Sequence, residues 1–238
     1  MAHARWQTGQ ELLIPPCSIK LTDHSKTLRH SQARMNIAQP LPMPVQLAES
    51  FQFIGQLAAA LNRPVYIIDV ESTGFGKHSA IGLVEYASIF IPPSGVATAF
   101  STLINPEVPI QWGASKVHGI HAKDVRKAPT FPRLAPSLRR GLVSTLVSGF
   151  NSRVYDVKVI NGNAERYDLE PIEAPRQLDV RDIWTGLHGQ KGKLDEAAST
   201  YRVTPGPAHR AHGDVLTTAR LLEAILTEHG LGVVDKYL

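Results

Sequence analysis

Apolar residues follow two different spacings along the chain, and these spacings predict helices and strands. Over residues 47–61 they recur every three or four positions, which is typical of a helix. Residues 65–68, Val-Tyr-Ile-Ile, form a short uninterrupted apolar run of the kind found in buried strands. Residues 81–91 and 97–104 predict two further strands, which the Pro-Pro-Ser-Gly turn at 92–95 joins as a hairpin.

The second half of the chain alternates between the two kinds of element. Residues 113–141 form a loop and helix region with proline breaks. Beyond it we predict strands at 142–149 and 177–180, and helices at 154–160, 194–201 and 211–227. A three-stranded meander followed by alternating helices and strands is typical of an α/β protein with a mixed sheet covered by helices.

The predicted elements divide the chain into an extension, a domain and a tail. Residues 1–50 are rich in proline and show no sustained apolar spacing, which predicts a poorly ordered extension. Residues 51–230 form the domain, and residues 231–238 remain as a short C-terminal tail. Met35 is a candidate physiological start, which would make the first 34 residues foreign to the native protein.

Composition excludes several classes of protein. With 43% hydrophobic and 19% charged residues, the 238-residue chain has the composition of an ordinary globular domain. No apolar run approaches the roughly 18 residues of a membrane span, and the N-terminus lacks the apolar core of a secretory signal. The single cysteine, Cys17, excludes an intramolecular disulfide and a multi-cysteine zinc site. We expect a cytoplasmic protein without membrane association.

The net charge says little about the substrate. Most of the formal charge of +4 comes from the first 34 residues, which hold five basic and two acidic side chains. The remainder holds 20 basic and 19 acidic residues and is almost neutral. Overall charge therefore does not by itself indicate that the domain binds nucleic acid.

Asp69 and Glu71 end the first predicted strand. Side chains alternate along a strand, so these two carboxylates project from the same side of the sheet. Two carboxylates at the edge of an apolar face repel each other and lose hydration, which favours a bound cation. The spacing alone is weak evidence, because Asp168 and Glu170 share it outside any predicted strand.

Two further acidic residues and a histidine are candidates for the same site. Asp156 begins a predicted helix after a strand, where an aspartate is either an N-cap or a ligand at the strand ends. Asp214 lies in the first turns of the last helix, on the face that points towards the sheet. The Pro-Gly-Pro sequence at 205–207 places His209 in the loop before that helix. His212 is the competing candidate for a general base.

These segments together resemble the DEDDh exonucleases, the family of the bacterial polymerase III proofreading subunit, RNase T and oligoribonuclease. The similar segments are VYIIDVESTGFG, IGLVEYASIFI with Glu85, SKVHGIHAKDVRKAPTF, GFNSRVYD and HRAHGDVLTTARLL. They cover residues 63–228 in the order and spacing of the family. Each motif is only moderately specific, but the ordered set is a strong signal. One departure is that three residues, instead of two, separate Asn151 from the Tyr155-Asp156 pair.

The resemblance implies a fold, a metal centre and a mechanism. The fold is ribonuclease H-like, with a five-stranded mixed sheet flanked by helices. Two Mg²⁺ or Mn²⁺ ions hold the scissile phosphate, and a histidine acts as the general base. The implied metal ligands are Asp69, Glu71, Asp156 and Asp214, and the implied base is His209.

The resemblance also implies contacts with the substrate. The backbone of Ser72, Thr73 and Gly74 would lie against the terminal nucleotide. Phe75 and His118 would stack on a base, although a structural role is equally open for each. Asn151 is the remaining candidate, and the departure in its motif weakens that assignment most.

The activity expected from these residues is 3′→5′ exonucleolytic hydrolysis of DNA to nucleoside 5′-monophosphates. The partners would be single-stranded DNA or DNA 3′ ends, and association with a polymerase is not evident from the sequence. A 3′→5′ exoribonuclease acting on short RNA or RNA 3′ ends would use the same site. Two less favoured alternatives are a non-catalytic nucleic-acid-binding protein and a hydrolase of unrelated fold.

Overall fold

A six-stranded mixed sheet organises residues 41–238, which are the residues that the computed structural model describes. The strand order is β1-β4-β3-β2-β5-β6. The pairs β1–β4, β4–β3 and β3–β2 are antiparallel, and β2–β5 and β5–β6 are parallel. The strands are β1 (Val45–Ser50), β2 (Val65–Ser72), β3 (Leu83–Ile91), β4 (Val96–Leu103), β5 (Leu146–Gly149) and β6 (Gln177–Asp179).

Helices cover both faces of this sheet. On one face α1 and α8 pack against β2, β3 and β4, while α4 and α5 cover the other face. The helices are α1 (Gln52–Ala60), α2 (Trp112–His118), α3 (Ala122–Val125), α4 (Phe131–Ser144), α5 (Asp156–Arg166), α6 (Val180–His188), α7 (Leu194–Thr200) and α8 (Ala211–His229). None of the helices within residues 41–238 is long and apolar enough to cross a lipid bilayer.

The alternation of side chains along β2 produces two hydrophobic cores. Val65 and Ile67 are fully buried in the core beneath α8. Ile68 and Val70 face the opposite way, into the core beneath α4 and α5. The predicted α/β fold with a mixed sheet flanked by helices is therefore confirmed, with six strands in place of five.

The additional strand corrects the interpretation of residues 47–61. The chain first forms β1, which pairs along the edge of the sheet with β4 through Val45–Ala99 and Gln46–Thr98, and only then turns into α1. Leu47 fits both the helical spacing and the alternation of an edge strand, so local spacing did not separate the two. The sheet thus begins before residue 51, the predicted start of the domain. The rest of the predicted extension, residues 1–40 with Cys17 and Met35, lies outside the described residues.

Several other element boundaries differ from the sequence predictions. Residues 142–144 end helix α4 instead of beginning a strand, because α4 continues past Pro136. The last helix before β6 starts at Asp156 and not at residue 154, since residues 151–155 form a turn. Residues 231–238 do not form a separate tail: Leu231–Tyr237 is a 3₁₀ segment with Val234 buried in the core.

Candidate metal centre

Strand β2 carries the first two carboxylates to the end of the sheet that α8 covers. Asp69 and Glu71 lie opposite Ala87 and Glu85 of β3, and both are half-buried. They share a side of β2 with Val65 and Ile67, which pack against α8. Strand alternation therefore directs both carboxylates towards the N-terminal turns of that helix.

The loop before α8 brings Asp214 to the same place. Residue Gly206 donates its backbone N–H to Thr217 Oγ1 at 2.9 Å, which fastens the loop to the helix. A Cβ at Gly213 would overlap the carbonyl of Pro207, so the loop can pack this closely only against glycine. With the helix start fixed in this way, carboxylate oxygens of three residues lie within 4.8 Å of one another. These residues are Asp69, Glu71 and Asp214.

Asp156 reaches this end of the sheet from the other side of β2. The hydrogen-bond ladder between β2 and β5 stops at the pair Ile67–Ser148. Beyond this pair, a backbone N–H of β2 that points towards β5 therefore has no partner in that strand. That N–H belongs to Val70, and it donates to Asp156 Oδ1 at 2.9 Å. Asp156 is buried, and its charge raises the pKa of Asp69. The four predicted ligands therefore surround one end of β2.

Loss of hydration raises the pKa of all four carboxyl groups. It places the pKa of Asp69 well above its ordinary value, with further contributions from Asp156 and Glu71. Burial, followed by repulsion from Asp214 and Glu85, raises the pKa of Glu71 to about 8. Burial raises the pKa of Asp156 to about 7 and also raises that of Asp214. The positive charge near these four carboxyl groups is therefore too small to offset their burial and mutual repulsion.

A fifth carboxylate, Glu85, is neutralised by the protein itself. Arg210 donates to both of its oxygens, from Nη2 at 2.8 Å and from Nε at 3.0 Å, and the backbone N–H of Ala211 donates at 3.0 Å. Although burial opposes it, these bonds lower the pKa of Glu85. The pair joins β3 to the start of α8 and so fixes the position of His209 and Asp214. Glu85 and Arg210 each lie in a segment that resembles the family's motifs. Their contact, however, depends on how β3 and the start of α8 are placed relative to each other, which the sequence does not show.

The two candidate bases have different surroundings. His209 is exposed in the loop with φ of 57°, a left-handed conformation that histidine adopts more readily than most residues. His209 lies close enough to Asp214 to oppose part of the rise in the pKa of that carboxyl group, so it lies beside the cluster. His212 lies in the first turn of α8, with Nδ1 3.6 Å from Glu85 Oε1. The predicted loop position of His209 is confirmed, and its role as the base stays a prediction.

The turn after β2 is held by its own hydrogen bonds. Ser72 Oγ lies 2.7 Å from the hydroxyl of Tyr155. The backbone N–H of Thr73 donates to the carbonyl of Gly82 at 2.8 Å, and the Thr73 hydroxyl accepts from the Gly82 N–H at 2.9 Å. The Thr73 amide therefore has a partner within the protein, and contact of this turn with a terminal nucleotide stays a prediction. Tyr155 is an additional residue at this site, and the sequence by itself did not indicate a role for it.

Gly74 and Phe75 continue this turn towards solvent. Gly74 has φ of 145°, and a Cβ there would overlap the side chain of Gln111. Gln111 Nε2 donates to the Phe75 carbonyl at 3.2 Å. Phe75 is 83% exposed and lies four residues after Glu71, and a base-stacking side chain would be exposed in this way. Its predicted stacking role is compatible with this position but stays a prediction.

Two of the predicted substrate contacts make hydrogen bonds within the protein. His118 is buried, its Nδ1 accepts the Ile120 N–H at 3.0 Å, and its Nε2 lies 3.2 Å from the Ser72 carbonyl. Asn151 has φ of 66° in the turn after β5, and its Oδ1 accepts from Arg181 Nη1 at 2.9 Å. The burial of His118 corrects its predicted stacking on a base, because its ring has no face open to a nucleotide. The Nδ2 atom of Asn151 is not used by these bonds, so the predicted substrate contact of Asn151 stays a prediction.

The donor set fits hard divalent cations. Mg²⁺ and Mn²⁺ prefer oxygen ligands, and every member of the cluster is a carboxylate. Within residues 41–238, no lysine or arginine lies at ion-pair distance from the four predicted ligands. Half-buried carboxylates without a cationic partner are costly unless protons or metal ions neutralise them. The site thus has the ligand chemistry and the unmet charge of a metal centre.

The raised pKa values predict how the metal-free protein responds to pH. A carboxyl group whose pKa is higher in the folded protein than in the unfolded protein contributes its full stabilisation at pH values below the unfolded-state pKa. This stabilisation is lost as the pH rises through the folded-state pKa. For Glu71 the window runs from 4.5 to about 8. We expect the melting temperature in EDTA to fall, on the order of 5 °C, between pH 5 and pH 8. Thermal denaturation followed by circular dichroism measures this.

Adding Mg²⁺ or Mn²⁺ provides the control for this prediction. Cations bind ionised carboxylates, so they should raise the melting temperature more at pH 8 than at pH 5. Glu85 contributes with the opposite sign, because its lowered pKa gives stability that is lost only at more acidic pH. A metal-free protein that becomes more stable from pH 5 to pH 8 would contradict the expected effect of the carboxylate cluster.

The chain matches a known protein family over most of its length. The RNase_T model, described as "Exonuclease", matches residues 66–222. This range contains the four clustered carboxylates and His209. The chain therefore belongs to this exonuclease family, and its mixed sheet with flanking helices is the ribonuclease H-like fold.

Two relatives illustrate the sequence similarity. The DNA polymerase III subunit epsilon of Treponema pallidum (strain Nichols) is 24% identical over 165 residues, covering 68% of this chain and 75% of that protein. A PolC-type DNA polymerase III of Caldanaerobacter subterraneus is 25% identical over 174 residues, covering 72% of this chain. The chain spans only 12% of that polymerase. This chain is therefore similar to only a small part of the larger polymerase.

Two solved structures share the fold. Exonuclease X in complex with 5′ overhanging duplex DNA has a TM-score of 0.55 and 25% identity, covering 70% of this chain and 93% of that one. E. coli exonuclease I in complex with a dT13 oligonucleotide has a TM-score of 0.62 and 16% identity, covering 69% of this chain and 41% of that one. The likeness to exonuclease I concerns the fold alone.

Proposed function

We propose that this protein is a metal-dependent exonuclease that removes nucleoside 5′-monophosphates from the 3′ end of single-stranded DNA. One observation carries the proposal: carboxylate oxygens of Asp69, Glu71 and Asp214 lie within 4.8 Å of one another. These residues come from two distant parts of the chain and have no cationic partner among the described residues. The 3′→5′ direction rests on the resemblance of the motifs to the DEDDh exonucleases.

The role of the carboxylates is to hold two Mg²⁺ or Mn²⁺ ions against the scissile phosphate. When bound, the ions would supply positive charge to the phosphoryl group and lower the pKa of nearby water. Because burial and repulsion raise their pKa values, the carboxyl groups bind protons in competition with cations. Activity should therefore rise with pH over the range in which these groups ionise. The proposed ligands are Asp69, Glu71, Asp156 and Asp214.

His209 would accept the proton of the attacking water at one of its ring nitrogens. Histidine is suited to this because it exchanges protons near neutral pH. His209 lies close enough to Asp214 to oppose part of the rise in the pKa of that carboxyl group, and its side chain is exposed. Exposure leaves the imidazole able to reach a water beside the phosphate. The competing base, His212, is beside Glu85.

DNA is the favoured substrate over RNA. The relatives include DNA polymerase III subunits, and exonuclease X, a structural neighbour, holds 5′ overhanging duplex DNA in its solved complex. No residue of the described site is assigned to the 2′-hydroxyl, the group that distinguishes RNA from DNA. An exoribonuclease therefore remains the alternative outcome of the same assay.

The assay compares end-labelled DNA and RNA oligonucleotides of one sequence, with Mn²⁺ or with EDTA. With Mn²⁺ we expect the label of 3′-labelled DNA to appear at once as a mononucleotide, while 5′-labelled DNA shortens stepwise. EDTA should abolish both reactions. Faster release from RNA would assign the protein to RNA, early release of a 5′ label would reverse the direction, and internal fragments would contradict an exonuclease.

A further inference from the structure

Trp112 is a large aromatic residue exposed at the start of α2. Its side chain is 77% exposed, whereas Trp184 is buried in the core. Together with Phe75, it is one of two strongly exposed aromatic residues among residues 41–238. No step of the proposed mechanism uses Trp112.

Gln111 fastens this tryptophan to the turn that follows the carboxylates. The backbone N–H of Gln111 donates to the Thr73 carbonyl at 2.8 Å, and its side chain covers Gly74 and donates to the Phe75 carbonyl. Thr73 follows Glu71 by two residues, which separates their Cα atoms by at most about 7 Å. Trp112 is the next residue after Gln111. The tryptophan therefore follows the residue that is bonded to the turn after Glu71, the turn that also carries the exposed Phe75.

The surface around Trp112 is locally basic. Lys116 Nζ lies 5.2 Å from the centroid of the Trp112 ring, and Lys116, His121 and Lys123 line the same depression with it. Neither lysine forms an ion pair with an acidic side chain of the described residues. The single carboxylate between residues 110 and 127, Asp124, accepts the His121 backbone N–H at 2.9 Å. The basic residues in this interval are Lys116, Lys123, Arg126 and Lys127.

This combination matches the chemistry of single-stranded nucleic acid. An exposed aromatic ring stacks on any base, and lysines around it neutralise the phosphates between successive bases. The rest of the domain is nearly neutral, so the positive charge on this surface is a local feature. A strand whose end lies at the carboxylates must also continue across a surface next to them.

We infer that Trp112, Lys116 and Lys123 form a binding subsite for the single-stranded segment that precedes the nucleotide being removed. One base stacks on Trp112, and the two lysines contact the adjoining phosphates. This inference rests on the proposed function for the identity of the strand. It adds a subsite outside the carboxylate cluster. This subsite governs the affinity for long substrates and does not take part in the chemistry at the terminal phosphodiester.

Two variants of Trp112 separate binding from hydrolysis. Binding of a fluorescein-labelled oligothymidylate is measured by anisotropy in EDTA, and hydrolysis is measured on that oligonucleotide and on thymidine 5′-(p-nitrophenyl phosphate), which has no preceding nucleotide. Trp112→Ala should weaken oligonucleotide binding roughly 5- to 160-fold, the range for loss of stacking on one base. Trp112→Phe should retain most of the binding. Both variants should cleave the minimal substrate at the wild-type rate.

Lys116→Ala tests the contribution of charge. Its binding should show a slope of log affinity against log salt reduced by about 0.7, as expected for one lost phosphate contact on a single strand. Arg140→Ala is the matched control, because it removes one exposed positive charge near the end of α4. That end of α4 lies beside the beginning of β2, where Arg63 donates to the Ser144 carbonyl, and so away from the carboxylates. Arg140→Ala should leave the salt slope unchanged.

The outcomes distinguish the inference from the proposed function. Unchanged oligonucleotide affinity in Trp112→Ala, or an equal loss of rate on the minimal substrate, would overturn the subsite. A wild-type protein that binds no single-stranded DNA would overturn it as well. A wild-type protein that binds the oligonucleotide through Trp112 but cleaves neither substrate would support the subsite and refute the exonuclease proposal.

Discussion

Replacing Asp69 by asparagine should reduce the hydrolysis of single-stranded DNA by roughly three orders of magnitude or more and make the metal-free protein more stable. Asparagine keeps the shape of the side chain but lacks the charge that holds a cation, and a bound cation contributes several kcal/mol of charge stabilisation in the transition state. The same substitution removes the repulsion of Asp69 by Asp156 and Glu71. Initial rates with Mn²⁺ and melting temperatures in EDTA at pH 8 measure the two effects.

The opposite signs of these effects distinguish a metal ligand from a structural residue. A structural aspartate would lose activity and stability together, whereas a ligand held by a repulsive cluster should lose activity while gaining stability. The matched control is the double variant Asp168→Asn, Glu170→Gln, which has the same spacing but lies exposed after α5. It should behave as wild type. Wild-type hydrolysis by Asp69→Asn would remove the metal assignment.

Removal of the His209 imidazole should lower the rate by about 10²- to 10⁴-fold, the usual contribution of a general base, without weakening metal binding. His209 has φ of 57°, so alanine would add backbone strain at this position. His209→Asn avoids that strain, because asparagine tolerates the left-handed conformation. The measurements are single-turnover rates on labelled DNA and the rise in melting temperature caused by Mn²⁺ in each variant.

His212→Ala is the comparison for this prediction. The His212 ring contacts Glu85, and Arg210 and the Ala211 N–H already satisfy that carboxylate, so the variant should retain most of the activity. A normal rate in His209→Asn together with a large loss in His212→Ala would transfer the base to His212. If His209→Asn also lost the stabilisation by Mn²⁺, its effect would be on the metal centre and not on proton transfer.

The acidic positions on β2 were predictable because strand alternation is a local property. A four-residue apolar run with carboxylates at the next odd positions determines that Asp69 and Glu71 share a side. The loop position of His209 was predictable for a similar reason, since two prolines and a glycine exclude a helix before Ala211. Both placements agree with the structure.

The contacts between distant residues were not predictable in this way. Glu85 lies opposite Glu71 only because the turn between β2 and β3 sets that register, and its bond to Arg210 depends on how α8 crosses the sheet. The burial of His118 against the Ser72 carbonyl likewise depends on where α2 packs. A motif can contain such residues without revealing whether they contact a substrate or the protein.

The edge strand β1 shows the same limit for the fold. Leu47 satisfies both a helical spacing and a strand alternation, and pairing with β4 decides between them. Hydrogen bonds along a sheet edge come from a partner some fifty residues away, so they leave no local signal in the sequence.

The sequence by itself determined the fold class, the order of the motifs and the identity of the acidic residues, because periodicity and residue chemistry are properties of short segments. The tertiary structure alone decided which carboxylates meet without a cationic partner, which one Arg210 neutralises, and which exposed side chains border the cluster. Those outcomes depend on strand register, helix packing and loss of hydration, which arise only when distant segments come together.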